Sequence, residues 1–174
     1  MSNNKFHNGH FYNPSKGNLT FEEVVQEIFG YIAEKPENLY DIVVGCDSPS
    51  SDKPFFPVAI VILRKGEGGR FFLKKMRYPL ALLKKFTNWH QRVLEEVLLS
   101  CELALTLRDV LEKKVLEQNF SSNYQFRYIH ADVGEQGQTR DMVKEVVGLI
   151  KSNGFEAKIK PESFAASVVA DRYT

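Results

Sequence analysis

The stretch Ile42-Val43-Val44-Gly45-Cys46-Asp47 limits most strongly what this chain can become. Its residues before the aspartate are apolar or small and mostly β-branched, so it reads as a strand buried on both faces. Such a strand needs a packed layer on each side of its sheet, which points to an α/β architecture. The run then ends on a carboxylate, a group that a dry interior disfavours unless it is paired. A second stretch has the same design. Tyr124, Phe126, Tyr128 and His130 alternate with Gln125, Arg127, Ile129 and Ala131, and this strand ends at Asp132.

The elements around these strands follow from local signals. Thr20 and Glu23 form a T-x-x-E capping box, and Val24, Val25, Ile28, Phe29 and Ile32 recur at helical spacing up to Pro36, predicting a helix over 21–35. Phe55 to Arg64 and Arg70 to Tyr78 read as a hairpin around Gly66-Glu67-Gly68-Gly69. Phe86 to about Glu117 contains neither Gly nor Pro and carries an apolar stripe at 3.6-residue spacing, predicting one long helix. A helix through Met142, Val143, Val146, Val147 and Ile150 stops at Asn153-Gly154. A strand from Phe155 to Ile159 follows, and a last helix starts near Glu162 or Ser163. The order is a leading helix, then β-β-β-α-β-α-β-α, which implies a mixed five-stranded sheet flanked by helices, with the N-terminal helix as an extra. Residues 1–18 are polar and read as a flexible tail before a single domain spanning 19–174.

Length and composition agree with one such domain. The chain has 174 residues, 43% hydrophobic and 26% charged, enough to build a core and too apolar for disorder. Cys46 and Cys101 lack disulfide or metal-type spacing, which suggests two buried thiols in a reducing compartment. There is no apolar N-terminal signal and no membrane-length apolar run, so the expected location is cytoplasmic.

The net charge of +1 conceals a division. Between Arg64 and Arg92 lie nine basic residues and one acid, Glu67, a local excess of +8 against −7 for the rest of the chain. Lysines and arginines gathered in this way are candidates for contacts with a nucleic-acid backbone, here Arg64, Lys65, Lys74, Lys75, Arg77, Lys84 and Lys85. The bland alternative is a solvated hairpin whose acids lie elsewhere in space. Phe86, Trp89 and His90 stand beside these cations, where they either stack on bases or pack into the core.

Sites in open α/β sheets lie outside the carboxyl ends of parallel strands, where Asp47 and Asp132 are expected. Two carboxylates brought together are unfavourable unless a cation or a proton intervenes, so the pair suggests Mg²⁺ or Mn²⁺ more strongly than either residue alone. The ordinary alternative for each is a turn aspartate bonded to loop N–H groups. Asp171 borders the apolar stripe of the last helix and is a third candidate. The long helix offers Glu95, Glu96 and Glu102, and periodicity alone does not choose among them. Glu96 is carried forward here as the fourth acid. Four acids suit a two-metal phosphodiester mechanism. His130, on the strand face of Asp132, is a candidate for substrate contact or proton transfer. Gly134-Glu135-Gln136-Gly137 reads as an ordinary turn, and Thr139 as the N-cap of the helix after it.

Gly45-Cys46-Asp47-Ser48, His130-Ala131-Asp132-Val133-Gly134 with Thr139-Arg140, and above all Lys160-Pro161-Glu162-Ser163-Phe164-Ala165-Ala166-Ser167 running into Ala170-Asp171-Arg172-Tyr173-Thr174 resemble the YkuK-type ribonuclease H-like family of bacterial proteins. The likeness extends from about Leu19 to the C-terminus. It implies a ribonuclease H-like sheet whose acidic positions are Asp47, a glutamate of the long helix, Asp132 and Asp171. The family usually reads Gly-Thr-Asp-Ser-Gln at the first strand, whereas Cys46 and Pro49 flank Asp47-Ser48 here. The expected function is metal-dependent hydrolysis of phosphodiester bonds in RNA, DNA or a hybrid. The alternative is a non-catalytic module that binds nucleic acid or a protein partner.

Overall fold

The computed structural model describes residues 4–120 and 123–165. The last predicted helix, with Asp171, falls outside the described residues beyond its first turn. In chain order the elements are β1 (Phe11–Asn13), β2 (Gly17–Leu19), α1 (Phe21–Glu34), β3 (Tyr40–Cys46), β4 (Phe56–Arg64), β5 (Gly68–Met76), α2 (Leu80–Leu83), α3 (Trp89–Gln118), β6 (Tyr124–Ala131), α4 (Val143–Ser152) and β7 (Glu156–Lys158).

Seven strands form one sheet in the order β2-β1-β5-β4-β3-β6-β7. β3 is central, antiparallel to β4 and parallel to β6, and β7 continues the parallel half. The five expected strands are therefore present in one contiguous block, and the predicted strand number is corrected by two. The additional pair is the hairpin β1–β2, which adds to the open edge of β5 through Tyr12↔Leu73. It lies within residues expected to be a loose tail. Phe6 and Phe11 are almost fully buried, and Phe11 packs against Phe21 of α1 at 6.1 Å. Three-residue strands are too short to display a two-residue period, so only the burial of these isolated aromatic residues in the folded chain reveals them.

The sheet separates two apolar layers because side chains alternate along each strand. Ile42, Val44 and Cys46 of β3, with Val58, Ile60 and Ile62 of β4, belong to the main core together with α1 and α3. Val43 and Val61 point the other way and pack with Ala165, while Ala59 and Leu73 form a small neighbouring cluster. The central strand is thus covered on both faces, as its composition requires.

Caps account for the helix boundaries. Thr20 and Glu23 complete the capping box of α1. α3 starts at Trp89 because the Asn88 side chain accepts from the N–H groups of His90 (2.9 Å) and Gln91 (3.4 Å). Phe86 and Thr87, which the apolar pattern assigns to the long helix, belong instead to a separate 3₁₀ turn over Lys84–Thr87 that buries Phe86 against Phe56 at 4.9 Å. Phe86 is thereby a core residue, and Trp89 also packs against the core.

Candidate active site

The register between β3 and β6 sets the geometry. Gly45 pairs with His130 and Cys46 with Ala131 in parallel alignment. Asp47 and Asp132 are the next residue on each strand and leave the sheet at adjacent points of one rim, where neighbouring strands lie about 4.8 Å apart. Both are partly buried.

Tertiary packing selects among the three glutamates of α3. Glu96 is 6% exposed, and its Oε1 accepts from the backbone N–H of Ser48 at 2.9 Å and from Ser48 Oγ at 2.5 Å. It therefore holds the loop that begins at Asp47. Burial pushes its carboxyl up to about 8; the bonds from Ser48 oppose the rise, Asp47 adds to it and Arg92 opposes it. Glu95 accepts from the Tyr78 hydroxyl, and Glu102 faces solvent and pairs with Lys5. The thiol of Cys46 is raised well above its ordinary value by burial first and then by Glu96, Asp47 and Glu95, which locates these three carboxyl groups around the end of β3.

Asp132 is held differently. Its Oδ2 lies 3.1 Å from Lys160 Nζ, and its Oδ1 is buried with no hydrogen-bond partner among the described residues. Lys160 is fixed by its own N–H, which donates to the carbonyl of Val133 at 2.8 Å. The loop between them can pack this closely because Gly134 has no side chain; a Cβ there would meet Lys160 Cβ at 3.2 Å. Gly134, Glu135, Gln136, Lys160 and Pro161 line an open hollow of about 420 Å³ beside Asp132. Within this loop the Gly134 N–H donates to Thr139 Oγ1 at 3.1 Å, so Thr139 closes the turn instead of capping the helix.

His130 does not reach the rim. It is 1% exposed, its Nδ1 accepts from the N–H of Ala165 at 3.1 Å, and Phe164 stands edge-on to its ring at 4.6 Å. Burial, with Lys158 nearby, lowers its pKa to about 4, which leaves it neutral near pH 7. It anchors the segment leading toward Asp171 rather than exchanging protons with a substrate.

The basic set divides into two groups. Arg64 is 7% exposed and lies between the rings of Tyr31 and Tyr40, bonded to Glu34 at 2.9 Å. Lys74 is also 7% exposed and donates to the carbonyls of Phe6 and Asn8. Both cations hold the fold together, and neither presents its charge to an external phosphate. Lys65 pairs with Asp41 at 3.5 Å. Lys75 and Arg77 are exposed and both lie near the Phe55 ring, 5.3 and 5.4 Å from its centre, and Lys84 and Lys85 are exposed on the following turn. The register Phe56↔Met76 places the end of β5 on the same rim as the end of β3. Lys75 and Arg77 thus lie to one side of the acidic pair, two strands from β3, with Arg92 near the intervening loop through Ser50 at 3.2 Å.

Among the described residues, no three His, Cys, Asp or Glu side chains are grouped closely enough to hold a metal ion. The donor chemistry nevertheless fits a hard divalent cation. All candidate ligands are carboxylate oxygens, one of them is a buried acceptor without a partner among the described residues, and the adjacent Glu96 is disfavoured in its charged form. Asp47 and Asp132 are the residues that would hold such an ion. Ser48 and Lys160 carry no individual signal in the sequence, since an isolated serine or lysine has no periodicity or spacing to mark it.

The comparisons bear on the fold. A family model described as ribonuclease H-like matches residues 23–174. The chain belongs to the ribonuclease H-like family. It is also 30% identical over 170 residues to a protein of Bacillus subtilis (strain 168) called uncharacterized protein YkuK, covering 94% of this chain and 96% of that protein. No solved structure matches it significantly. Within this ribonuclease H-like chain, no helix among the described residues is long and apolar enough to cross a membrane.

Proposed function

We propose that this ribonuclease H-like chain is a metal-dependent phosphodiester hydrolase acting on RNA, DNA or a hybrid. The observation that carries this reading is the in-register end of β3 and β6, from which Asp47 and Asp132 leave the sheet side by side. A bound Mg²⁺ or Mn²⁺ would supply Lewis-acid neutralisation of the charge that develops on the scissile phosphate. The chain's own groups do the positioning. Asp47 and Asp132 present carboxylate oxygens at the rim, with Asp171 as a further candidate outside the described residues. Glu96 holds the Ser48 loop and retains its proton near neutral pH. Lys160 balances one oxygen of Asp132. Lys75 and Arg77 are placed to steer the flanking phosphates.

The test is cleavage of end-labelled RNA, DNA and hybrid strands with Mg²⁺ or Mn²⁺, comparing the native chain with Asp47→Asn. We expect cleavage by the native protein and a loss of at least about 100-fold in the variant, the scale of a lost electrostatic stabiliser. Equal activity in both would assign the cleavage to another source and reject the reading. The specific observation favouring a non-catalytic binding module instead is that the rim is already balanced without an ion, by the proton on Glu96 and by Lys160 on Asp132. That module would bind nucleic acid equally well with chelator present and would cleave nothing.

A further inference from the structure

The hairpin β1–β2 creates a second feature on the rim side of the sheet. His10, Tyr12, Asn18, Leu73 and Lys75 line a cavity of about 400 Å³, within the size range of small-ligand sites. Leu73 is 3% exposed and forms an apolar floor, while Tyr12 is 42% exposed. Asn18 pairs with Tyr12 across the hairpin and brings an amide with both donor and acceptor atoms. Lys75 adds an ammonium two residues beyond Leu73 on β5, on the same sheet face. An aromatic surface, an apolar floor, an amide and a cation together match the parts of a nucleotide: the flat base, its hydrogen-bonding edge and its phosphate.

The cavity is also aligned with the acidic rim. Tyr12, Leu73, Ala59, Gly45 and His130 form one continuous register row across β1, β5, β4, β3 and β6. The row lies close to the strand ends from which Asp47 and Asp132 emerge. From β1 to β3 is three interstrand steps, roughly 14 Å at about 4.8 Å each. Lys75 and Arg77, both beside the Phe55 ring, occupy the interval. A strand of nucleic acid with one base at Tyr12 would have its neighbouring phosphates over these cations and a later phosphate near the carboxylates.

We propose that this cavity receives an unpaired base of single-stranded nucleic acid, with Tyr12 as the stacking surface and Lys75 as the phosphate contact. A base held in a duplex is stacked and paired on both sides and cannot enter it, so the proposal assigns the substrate class as single strands or single-stranded ends. It rests on the phosphodiesterase reading only for what happens at the other end of the track; binding at the cavity is independent of metal.

The experiment is fluorescence anisotropy with a fluorescein-labelled oligo(dT) single strand and a blunt duplex of equal length, in EDTA at fixed salt. The single strand is expected to bind at least about tenfold more tightly than the duplex. Tyr12→Ala should weaken single-strand binding by about tenfold, the scale of a lost base stack, and Tyr12→Phe should restore it. Lys75→Gln should weaken binding and reduce its salt dependence. Equal affinity for the duplex, unchanged binding by correctly folded Tyr12→Ala, or no binding of the single strand overturns the proposal. The two readings fail separately. Tyr12-dependent binding without any cleavage supports the cavity and rejects the hydrolase, whereas Asp47-dependent cleavage with Tyr12→Ala binding like the native chain does the reverse.

Discussion

Glu96 shows most plainly how a single residue acquires its properties from its surroundings. Its carboxyl stands at about 8 against an ordinary 4.5, because removal from water outweighs the two bonds from Ser48. Folding thus favours the protonated form. The associated stability is fully present below about pH 4.5 and is lost as pH rises through about 8. Glu96→Gln keeps an acceptor for Ser48 and cannot ionise, so it should flatten the decline in melting temperature on going from about pH 5 to about pH 9. Parallel melting curves for the two proteins over that range would show that the buried carboxyl is not the source of the decline. The three neighbouring glutamates were equivalent by spacing; only the approach of the β3 end to α3 distinguishes Glu96 from Glu95 and Glu102. Likewise, counting charges placed Arg64 and Lys74 in a phosphate track. Burial and their partners, Glu34 for one and two backbone carbonyls for the other, give them structural roles.

At the scale of elements, the legible parts were those with long repeats or strong caps. α1 begins at its capping box, and β3 and β6 end next to their aspartates. The hairpin β1–β2 was not legible, because its order depends on contacts made far along the chain. Lys74 of β5 makes several of them. Its ammonium, pushed toward neutrality by burial, bonds to the carbonyls of Phe6 and Asn8 and lies 5.3 Å from the Phe11 ring centre. Lys74→Met should release this segment, costing about 1–3 kcal/mol where buried carbonyls lose their donor. Hydrogen exchange provides the check: protection should fall over residues 11–19 while β3 and β4 keep theirs. Uniform loss across the sheet would mean that Lys74 supports the whole core and not the hairpin in particular.

For the whole molecule, the separation of charge is real but smaller than the linear count suggests. Arg64, Lys74 and Arg70 are engaged internally, leaving Lys75, Arg77, Lys84 and Lys85 exposed near the acidic rim. If the rim holds a divalent ion, binding to the folded state alone stabilises it by mass action. Mg²⁺ or Mn²⁺ should then raise the melting temperature of the native protein, and Asp132→Asn should respond much less. An equal rise in both proteins would place the ion elsewhere. The sequence by itself determined the α/β class, the central strand and the two aspartates at strand ends, since apolar runs and their terminating charges are local properties of the chain. The tertiary structure alone decided which glutamate meets the rim, which cations remain outside and that the N-terminal residues extend the sheet. Those outcomes depend on distances between segments far apart in the chain, and burial and pairing energies exist only once the segments have met.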